Sequence, residues 1–148
     1  MADDKSRSEE NIRLLKQKEK EEPIAAFLDI ELLKLTPGYA KVKMKMKPQY
    51  QSFHGLTFGG IIMAVSDQTF AYASNSIAYP SVASNLNTSF IASARAGDEL
   101  TAECRVVKNG KRAGFSEITV TNQDGRLIAK SSGTTIPLGN RESFEDHI

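Results

Sequence analysis

The sequence has few of the residues that cross-link small domains. It contains one cysteine, Cys104, two histidines and no tryptophan in 148 residues, which excludes an intrachain disulfide and a four-ligand Cys/His zinc site. It lacks an apolar run near the roughly 18 residues of a membrane-spanning helix, and its start, MADDKSRSEE, lacks the apolar stretch of a signal peptide. We therefore expect one globular domain in the cytoplasm, with its own core, no metal and no membrane partner.

Charge is spread unevenly along the chain. Residues 1–22 hold 13 of the 37 Lys, Arg, Asp and Glu residues, six positive and seven negative. Mixed signs argue against a nucleic-acid-binding arm, and Glu and Lys favour helices, so we predict a solvated helix over 8–22 that Pro23 ends. Its apolar stripe is thin, which fits either partial disorder or docking on a neighbour. The apolar residues 24–28 are predicted to pack on the body.

The hydrophobic period changes to two after Asp29. We predict a β-hairpin from residues 30–34 and 39–47, joined by a turn at 36–38. Every second residue of the second strand is apolar and the residues between are lysines. The apolar set is Ala40, Val42, Met44 and Met46, and the lysines are Lys41, Lys43, Lys45 and Lys47. One face of this strand is therefore predicted to face the core and the other the solvent.

Residues 60–75 are apolar on nearly all sides and contain no proline, which is typical of a helix buried in the middle of a domain. Asp67 lies within this stretch, close to Val65 and Phe70. A buried carboxylate must be hydrogen-bonded, paired or functional. Asp67 is therefore a candidate catalytic residue. The structural alternative is an Asp at a subunit contact or bonded to a neighbouring hydroxyl.

The rest of the chain alternates strand patterns with turn signals. The predicted strands are 81–91, 98–108, 114–122 and 126–137, and the turns between them are 94–97, 109–112 and 123–125. The spacing of these turns indicates hairpins. A long antiparallel sheet that meets one buried helix should curl around it. The predicted fold class is therefore α+β, with one long central helix and an extra N-terminal helix.

Several stretches resemble one known family. They are HGLTFGG at 54–60, Asp67, FAYASNS at 70–76, NTSFIASARAGDEL at 87–100 and NGKR at 109–112. Together they resemble the hotdog-fold acyl-CoA thioesterases of the PaaI (phenylacetate-pathway) type. The resemblance implies a hotdog domain over 24–138, between a charged N-terminal helix or tail at 1–23 and a polar tail at 139–148. It also implies an acyl-CoA substrate, no cofactor, and homodimers that often pair again into homotetramers.

Thioester hydrolysis needs a donor for the developing oxyanion and a base or nucleophile at the carbonyl carbon. The predicted helix start offers free N–H groups and the positive end of the helix dipole, and Gly59 and Gly60 leave room for a carbonyl. Asp67 would act as a base for water or as a nucleophile. Eight helical residues separate Gly59 from Asp67, about 12 Å at 1.5 Å per residue, so one helix cannot complete the site. Two antiparallel central helices about a two-fold axis would form two equal sites, and the resemblance implies the same split site.

Two positions differ from the thioesterases that the sequence resembles. Those enzymes usually have His before the glycine pair and Asn six residues earlier, where this chain has Phe58 and Ser52. The nearest imidazole is His54, which would either reach the thioester as a catalytic residue or hold the turn of the loop. Ser52, Thr57 and Gln68 are alternatives for a missing water-positioning amide.

Other polar and aromatic residues are predicted to contact the CoA thioester. The resemblance places pantetheine and phosphate contacts on loops that contain basic residues. The predicted substrate-binding set is Phe58, Gln68, Asn75, Ser84, Asn85, Arg95, Lys111 and Arg112. The structural alternatives are a helix cap for Asn75, strand pairing for Ser84 and Asn85, and simple solvation for the basic turn residues.

The function predicted from these features is hydrolysis of acyl-CoA thioesters to free acid and CoA. Two other functions stay open. A non-catalytic hotdog protein that binds acyl-CoA is compatible with Phe58. A hotdog hydratase or dehydratase would need His54 and Asp67 as a pair, at a spacing that does not match that activity. The sequence does not identify the acyl group.

Overall fold

The computed structural model describes residues 2–139. Its helices are α1 (Ala2–Glu19), α2 (Pro23–Leu28) and α3 (Gly59–Ile77), with a turn of 3-10 helix at Pro48–Tyr50. Its strands are β1 (Glu31–Thr36), β2 (Tyr39–Lys45), β3 (Ser81–Phe90), β4 (Glu99–Asn109), β5 (Gly114–Thr121) and β6 (Leu127–Pro137). The predicted tail at 139–148 lies outside the described residues except for Gly139. No helix within this range is both long and apolar enough to cross a membrane.

The strands of this range form an antiparallel sheet in the order β1-β2-β4-β5-β6-β3. The hairpins predicted at 36–38, 109–112 and 123–125 are confirmed, because β1 pairs with β2, β4 with β5, and β5 with β6. The hairpin predicted at 94–97 is wrong, because β3 pairs with β6 at the sheet edge while β4 pairs with β2 and β5. The turn at 94–97 instead lies in a connection from the edge of the sheet to its middle.

The sheet packs around α3, which contacts all six strands. The inward residues of β2, Ala40, Val42 and Met44, are at most 1% exposed, as the alternating pattern predicts. The curled antiparallel sheet around one long central helix is therefore confirmed. The hydrophobic effect of burying these side chains is the main source of stability for this arrangement.

Gly133 of β6 allows the sheet to approach α3 closely. A Cβ atom at this position would lie 2.6 Å from Cζ of Phe70 and 3.1 Å from the carbonyl oxygen of Asn85. Phe70 is the largest fully buried side chain of the described residues. The glycine therefore makes room for the main aromatic contact between α3 and the sheet.

The N-terminal helix is longer than predicted and docks on its own chain. It begins at Ala2 and ends at Glu19, whereas the sequence predicts 8–22. Ser8, Asn11 and Leu15 are buried, and their spacing of three and four residues places them on one face of α1. The amide of Asn11 donates to the carbonyl of Ser76 at the end of α3 over 3.5 Å.

Pro23 begins α2 as well as separating it from α1. Proline is suited to the first helical turn, where an N–H group has no intrahelical partner. Ala25 and Leu28 are buried, but Ile24 and Phe27 are exposed. The predicted packing of residues 24–28 on the body is therefore confirmed for one face of the helix only.

One face of α3 is left open, although the sequence predicts burial on nearly all sides. The exposed residues Gly60, Asp67 and Ala71 are spaced by seven and four residues, which places them on the same face of the helix. The sheet and α1 cover the other faces. The neighbouring edge strand β3 also exposes most of its residues. The open face and the sheet edge are therefore both available to a second chain.

Candidate active site

Backbone hydrogen bonds hold the loop that leads into α3. The N–H of Thr57 donates to the carbonyl of Ala94 over 2.9 Å. The N–H of Phe58 donates to the carbonyl of Tyr50 over 2.8 Å. These bonds attach the loop to two neighbouring segments and fix the start of α3 at Gly59.

The first two N–H groups of α3 have no acceptor within residues 2–139. The third, from Ile61, donates to the carbonyl of Phe58 over 3.0 Å, and no side chain caps the helix. The N–H groups of Gly59 and Gly60 are therefore unpaired at the positive end of the helix dipole. This is the arrangement that stabilisation of an oxyanion requires.

Two aromatic rings pack against the glycine pair. A Cβ atom at Gly59 would lie 3.0 Å from Cζ of Phe90, and one at Gly60 would lie 2.6 Å from Cε1 of Phe58. Both rings belong to side chains that are more than half exposed. The glycines are therefore needed for these ring contacts as well as for access to the N–H groups.

A cleft of about 510 Å³ opens beside the start of α3. Its lining includes His54, Phe58, Gly59 and Phe90. His54 is exposed, and its ring lies 4.1 Å from the ring of Phe53 between centroids. The structure thus places His54 in the same cleft as Gly59, and its role stays a prediction.

The three candidates for the missing water-positioning amide differ in their hydrogen bonding. The hydroxyl of Ser52 accepts a bond from the N–H of His54 over 3.3 Å. The amide of Gln68 donates to Glu22 over 2.7 Å. The hydroxyl of Thr57 is buried and has no partner among the described residues, and Thr57 lines the cleft. Thr57 is therefore the candidate with an unused polar group.

Asp67 is exposed in the single chain, so the prediction that it is buried is wrong. The reason is that it lies on the open face of α3. Its carboxylate has no hydrogen bond or ion pair with any residue in the range 2–139. Partial desolvation by the surrounding protein raises the pKa of this carboxyl group above the ordinary 3.8. Loss of water favours the neutral form of the carboxyl group.

The unpaired N–H groups and the carboxylate of Asp67 lie on the same helix but are separated along its axis. Gly60 and Asp67 are seven residues apart, which is close to two turns, so they lie on the same face of α3. Gly59 and Asp67 are separated by about 12 Å along the axis at 1.5 Å per residue. One thioester carbonyl therefore cannot contact both groups of the same chain.

Asn75 connects the end of α3 to β3. Its amide nitrogen donates to the carbonyl oxygens of Ala71 and Ser81 over 3.0 and 3.2 Å. Its amide oxygen accepts from the N–H of Ser81 over 2.9 Å. The side chain therefore has a structural role in the single chain, and its predicted contact with substrate stays untested.

The other predicted substrate contacts are exposed but dispersed. Ser84 and Asn85 lie on the edge strand β3, beside the open face. Arg95 follows Ala94 of the cleft, at the end of the molecule where α3 begins. Lys111 and Arg112 lie in the β4–β5 turn. This turn is near the end of α3, because Lys111 and Ile77 line the same cavity. One chain therefore does not bring these three cations together.

Two residues near the site, Phe90 and Glu22, are absent from the sequence-based predictions. Phe90 covers Gly59, and Glu22 accepts a hydrogen bond of 2.7 Å from Gln68. Phe90 lies inside a motif stretch, so attention to aromatic residues there could have identified it. Glu22 lies in the charged N-terminal segment and carries no local signal.

Comparison with known proteins identifies the family. The model of the thioesterase superfamily matches residues 54–129, which are 76 of the 148 residues. Acyl-coenzyme A thioesterase PaaI of Escherichia coli is 33% identical over 115 residues, covering 78% of this chain and 82% of that protein. The chain belongs to the thioesterase superfamily, and thioester hydrolysis is its class of reaction.

Solved structures agree with this assignment. The E. coli PaaI protein from the phenylacetic acid degradation operon has a TM-score of 0.83 at 28% identity and covers 93% of this chain and 97% of its own. The smu.793 protein of Streptococcus mutans, solved with acetyl CoA bound, has a TM-score of 0.73 at 25% identity and covers 76% and 90%. The predicted hotdog fold and the PaaI-type resemblance are confirmed.

No group of three His, Cys, Asp or Glu side chains between residues 2 and 139 is arranged to hold a metal ion. The predictions that no metal and no cofactor take part in the reaction stay predictions.

Proposed function

We propose that this protein hydrolyses acyl-CoA thioesters to a free acid and CoA in a site shared by two subunits. The observation that carries the proposal is the open face of α3, which presents two unpaired N–H groups, at Gly59 and Gly60, and the partnerless carboxylate of Asp67. The name of the E. coli relative and the acetyl CoA bound to the S. mutans protein support the substrate class.

In this proposal the N–H groups of Gly59 and Gly60 bind the carbonyl oxygen of the thioester. They stabilise the negative charge that develops on this oxygen when the carbonyl carbon is attacked. Asp67 of the partner subunit accepts a proton from the attacking water, or it attacks the carbon and forms an anhydride that water opens. In both routes the C–S bond breaks, CoA leaves as a thiolate that takes up a proton, and the free acid is released.

The dimer in the proposal follows from the spacing on α3. Ala64 lies midway between Gly60 and Asp67. If a two-fold axis passes beside Ala64 and the helices run antiparallel, Gly60 of one chain faces Asp67 of the partner subunit. The small side chains at positions 64 and 71 allow the helices to approach closely. The exposed edge strand β3 offers a second contact, because an unpaired strand edge can hydrogen-bond to its symmetry copy.

The same dimer geometry would also bring together the basic side chains that lie apart in one chain. In a two-fold dimer with antiparallel α3 helices, the end of one chain that carries Lys111 and Arg112 lies beside the start of α3 in its partner, near Arg95. These residues could then contact the CoA phosphates together, since arginine and lysine bind phosphate groups through charge-assisted hydrogen bonds. The pairing of dimers into tetramers stays a prediction from the family resemblance.

Phe58 favours a second candidate function, which is binding of an acyl-CoA without hydrolysis. Its ring is 58% exposed and covers the position where a Cβ atom of Gly60 would lie. A ring at this location could prevent a carbonyl oxygen from reaching the N–H of Gly60.

Release of free CoA from a panel of acyl-CoA thioesters, followed with a thiol-trapping reagent, tests the proposed function. Steady turnover of at least one thioester supports hydrolysis. Tight binding of acyl-CoA in calorimetry, with no CoA release by well-folded protein, would contradict hydrolysis and support the binding function. Absorbance of an enoyl-CoA would detect a hydratase.

A further inference from the structure

A second cavity lies beside Asp67, towards the end of α3. It has a volume of about 460 Å³ and lies between the N-terminal segment and the second half of α3. The α3 residues that line it include Gln68, Ala71 and Asn75. They begin one residue after Asp67 and extend for about 10 Å along the helix. In the proposed dimer, the acyl group of a thioester held beside Asp67 would be next to this cavity, and the CoA side would lie towards the cleft at Gly59 of the partner subunit.

The wall of this cavity contains a fixed carboxylate. Oε2 of Glu22 accepts a hydrogen bond from Nε2 of Gln68 over 2.7 Å and another from the hydroxyl of Tyr72 over 3.0 Å. Glu19, Glu21 and Lys18 also line the cavity. Three carboxylates and one ammonium group thus give the cavity a negative charge, and Glu22 is the carboxylate that hydrogen bonds hold against α3.

We propose that this cavity receives the acyl group and that Glu22 selects uncharged acyl groups over those that end in a carboxylate. The inference rests on the proposed hydrolysis of acyl-CoA. A carboxylate at the end of the acyl group would lie near Glu22 in a half-enclosed space, where like charges repel more strongly than in bulk water. An uncharged chain instead contacts the apolar part of the lining, which includes Leu15, Tyr79 and Pro80.

The segment that carries Glu22 lies outside the region that defines the family. The family match begins at residue 54. The E. coli PaaI structure covers 93% of this chain and the S. mutans structure covers 76%. A cavity wall built from residues outside the family match is where we expect a difference in acyl specificity to arise.

The test compares octanoyl-CoA with suberyl-CoA, which carries a carboxylate at the far end of a chain of the same length. For the unaltered protein we expect kcat/KM to be at least tenfold higher for octanoyl-CoA. Glu22→Gln keeps the shape and an acceptor oxygen but removes the charge, so the ratio should fall at least fivefold, mainly through a lower KM for suberyl-CoA. Glu9→Gln removes an exposed charge of α1 away from the cavity and should leave the ratio unchanged.

A ratio near one for the unaltered protein, or equal ratios for Glu22→Gln and Glu9→Gln, would overturn the inference and leave the proposed function intact. Hydrolysis of neither probe, nor of any other acyl-CoA, would reject the proposed function and this inference with it. The comparison of the two probes with the unaltered protein needs no variant, so it tests the inference even if Glu22→Gln does not fold.

Discussion

The carboxylate of Asp67 extends from an otherwise uncharged helix and has no partner in the described chain. Because it makes so few contacts, its replacement changes the chemistry of the site more than the stability of the chain. We predict that Asp67→Asn lowers kcat at least about 100-fold, the typical loss when a general base is removed, with an unchanged circular dichroism spectrum. Asp124→Asn, in an exposed turn, is the matched control. Activity of Asp67→Asn within threefold of the unaltered protein would exclude Asp67 as the catalytic group.

The pKa of Asp67 gives a second prediction. Desolvation raises this pKa above 3.8, and a base must be ionised, so kcat/KM should rise with pH through a pKa higher than that of an ordinary Asp. The free energy of unfolding depends on pH in the opposite direction, because the carboxyl group binds its proton more tightly in the folded state than in the unfolded state. The stabilisation from this group is present at low pH and is lost as the pH rises through the folded pKa. A pH–rate profile whose acid limb is at or below 3.8 would contradict the assignment.

Replacement of Thr57 tests whether its buried hydroxyl positions the attacking water or has only a structural role. Thr57→Val keeps the shape and removes a hydroxyl that has no partner within the described chain. If the hydroxyl positions the attacking water, kcat should fall about tenfold, within the range for a hydrogen bond made in the transition state. The free energy of unfolding should stay equal or rise, because an unsatisfied buried group is removed. Unchanged kcat would assign the attacking water to another group.

At the scale of elements, Gly133 and Phe70 determine how closely β6 approaches α3. Gly133→Ala places a Cβ atom against a fully buried ring and a backbone oxygen, and overpacking of this kind costs about 1–3 kcal/mol. We predict a loss of that size in the free energy of unfolding, measured with chemical denaturant. The double variant with Phe70→Leu should show a coupling energy that recovers part of the loss. Simple addition of the two losses would contradict the proposed contact.

The elements that could be predicted are those with a local signal. The alternation of lysine and apolar residues in 39–47 identifies β2, and the apolar stretch at 60–75 identifies α3, because each pattern reflects which side faces the core. The pairing of β3 with β6 could not be predicted, since a turn at 94–97 does not specify which distant strand will be the neighbour. The sequence left docking of α1 open against partial disorder, because two of its three buried residues, Ser8 and Asn11, are polar.

The candidate site was predictable in its residues but only partly in its environment. The glycine pair and Asp67 follow from the motif and from the spacing along a helix. The exposure of Asp67 could not be read from the sequence, because apolar and small side chains look the same whether they face the chain's own core or another subunit. Glu22 was missed for a related reason: a contact over 46 residues has no local pattern.

At the scale of the whole molecule, the proposed site needs two chains. The unpaired N–H groups and the carboxylate are separated by about 12 Å along one helix, and the face that contains them is open. A two-fold dimer is the smallest assembly that would bring the two halves together twice. Activity should therefore depend on protein concentration wherever the dimer dissociates.

Subunit complementation tests this claim most directly. Asp67→Ala removes the carboxylate. Gly60→Val obstructs the N–H groups, and its added Cβ atom would meet the exposed ring of Phe58. Each variant alone should be inactive and folded. In a heterodimer, one site has both defects and the other has neither, so refolding an equal mixture should restore about a quarter of the unaltered activity under random pairing. No recovery, with heterodimers demonstrated by mass spectrometry, would show that each chain carries its own complete site.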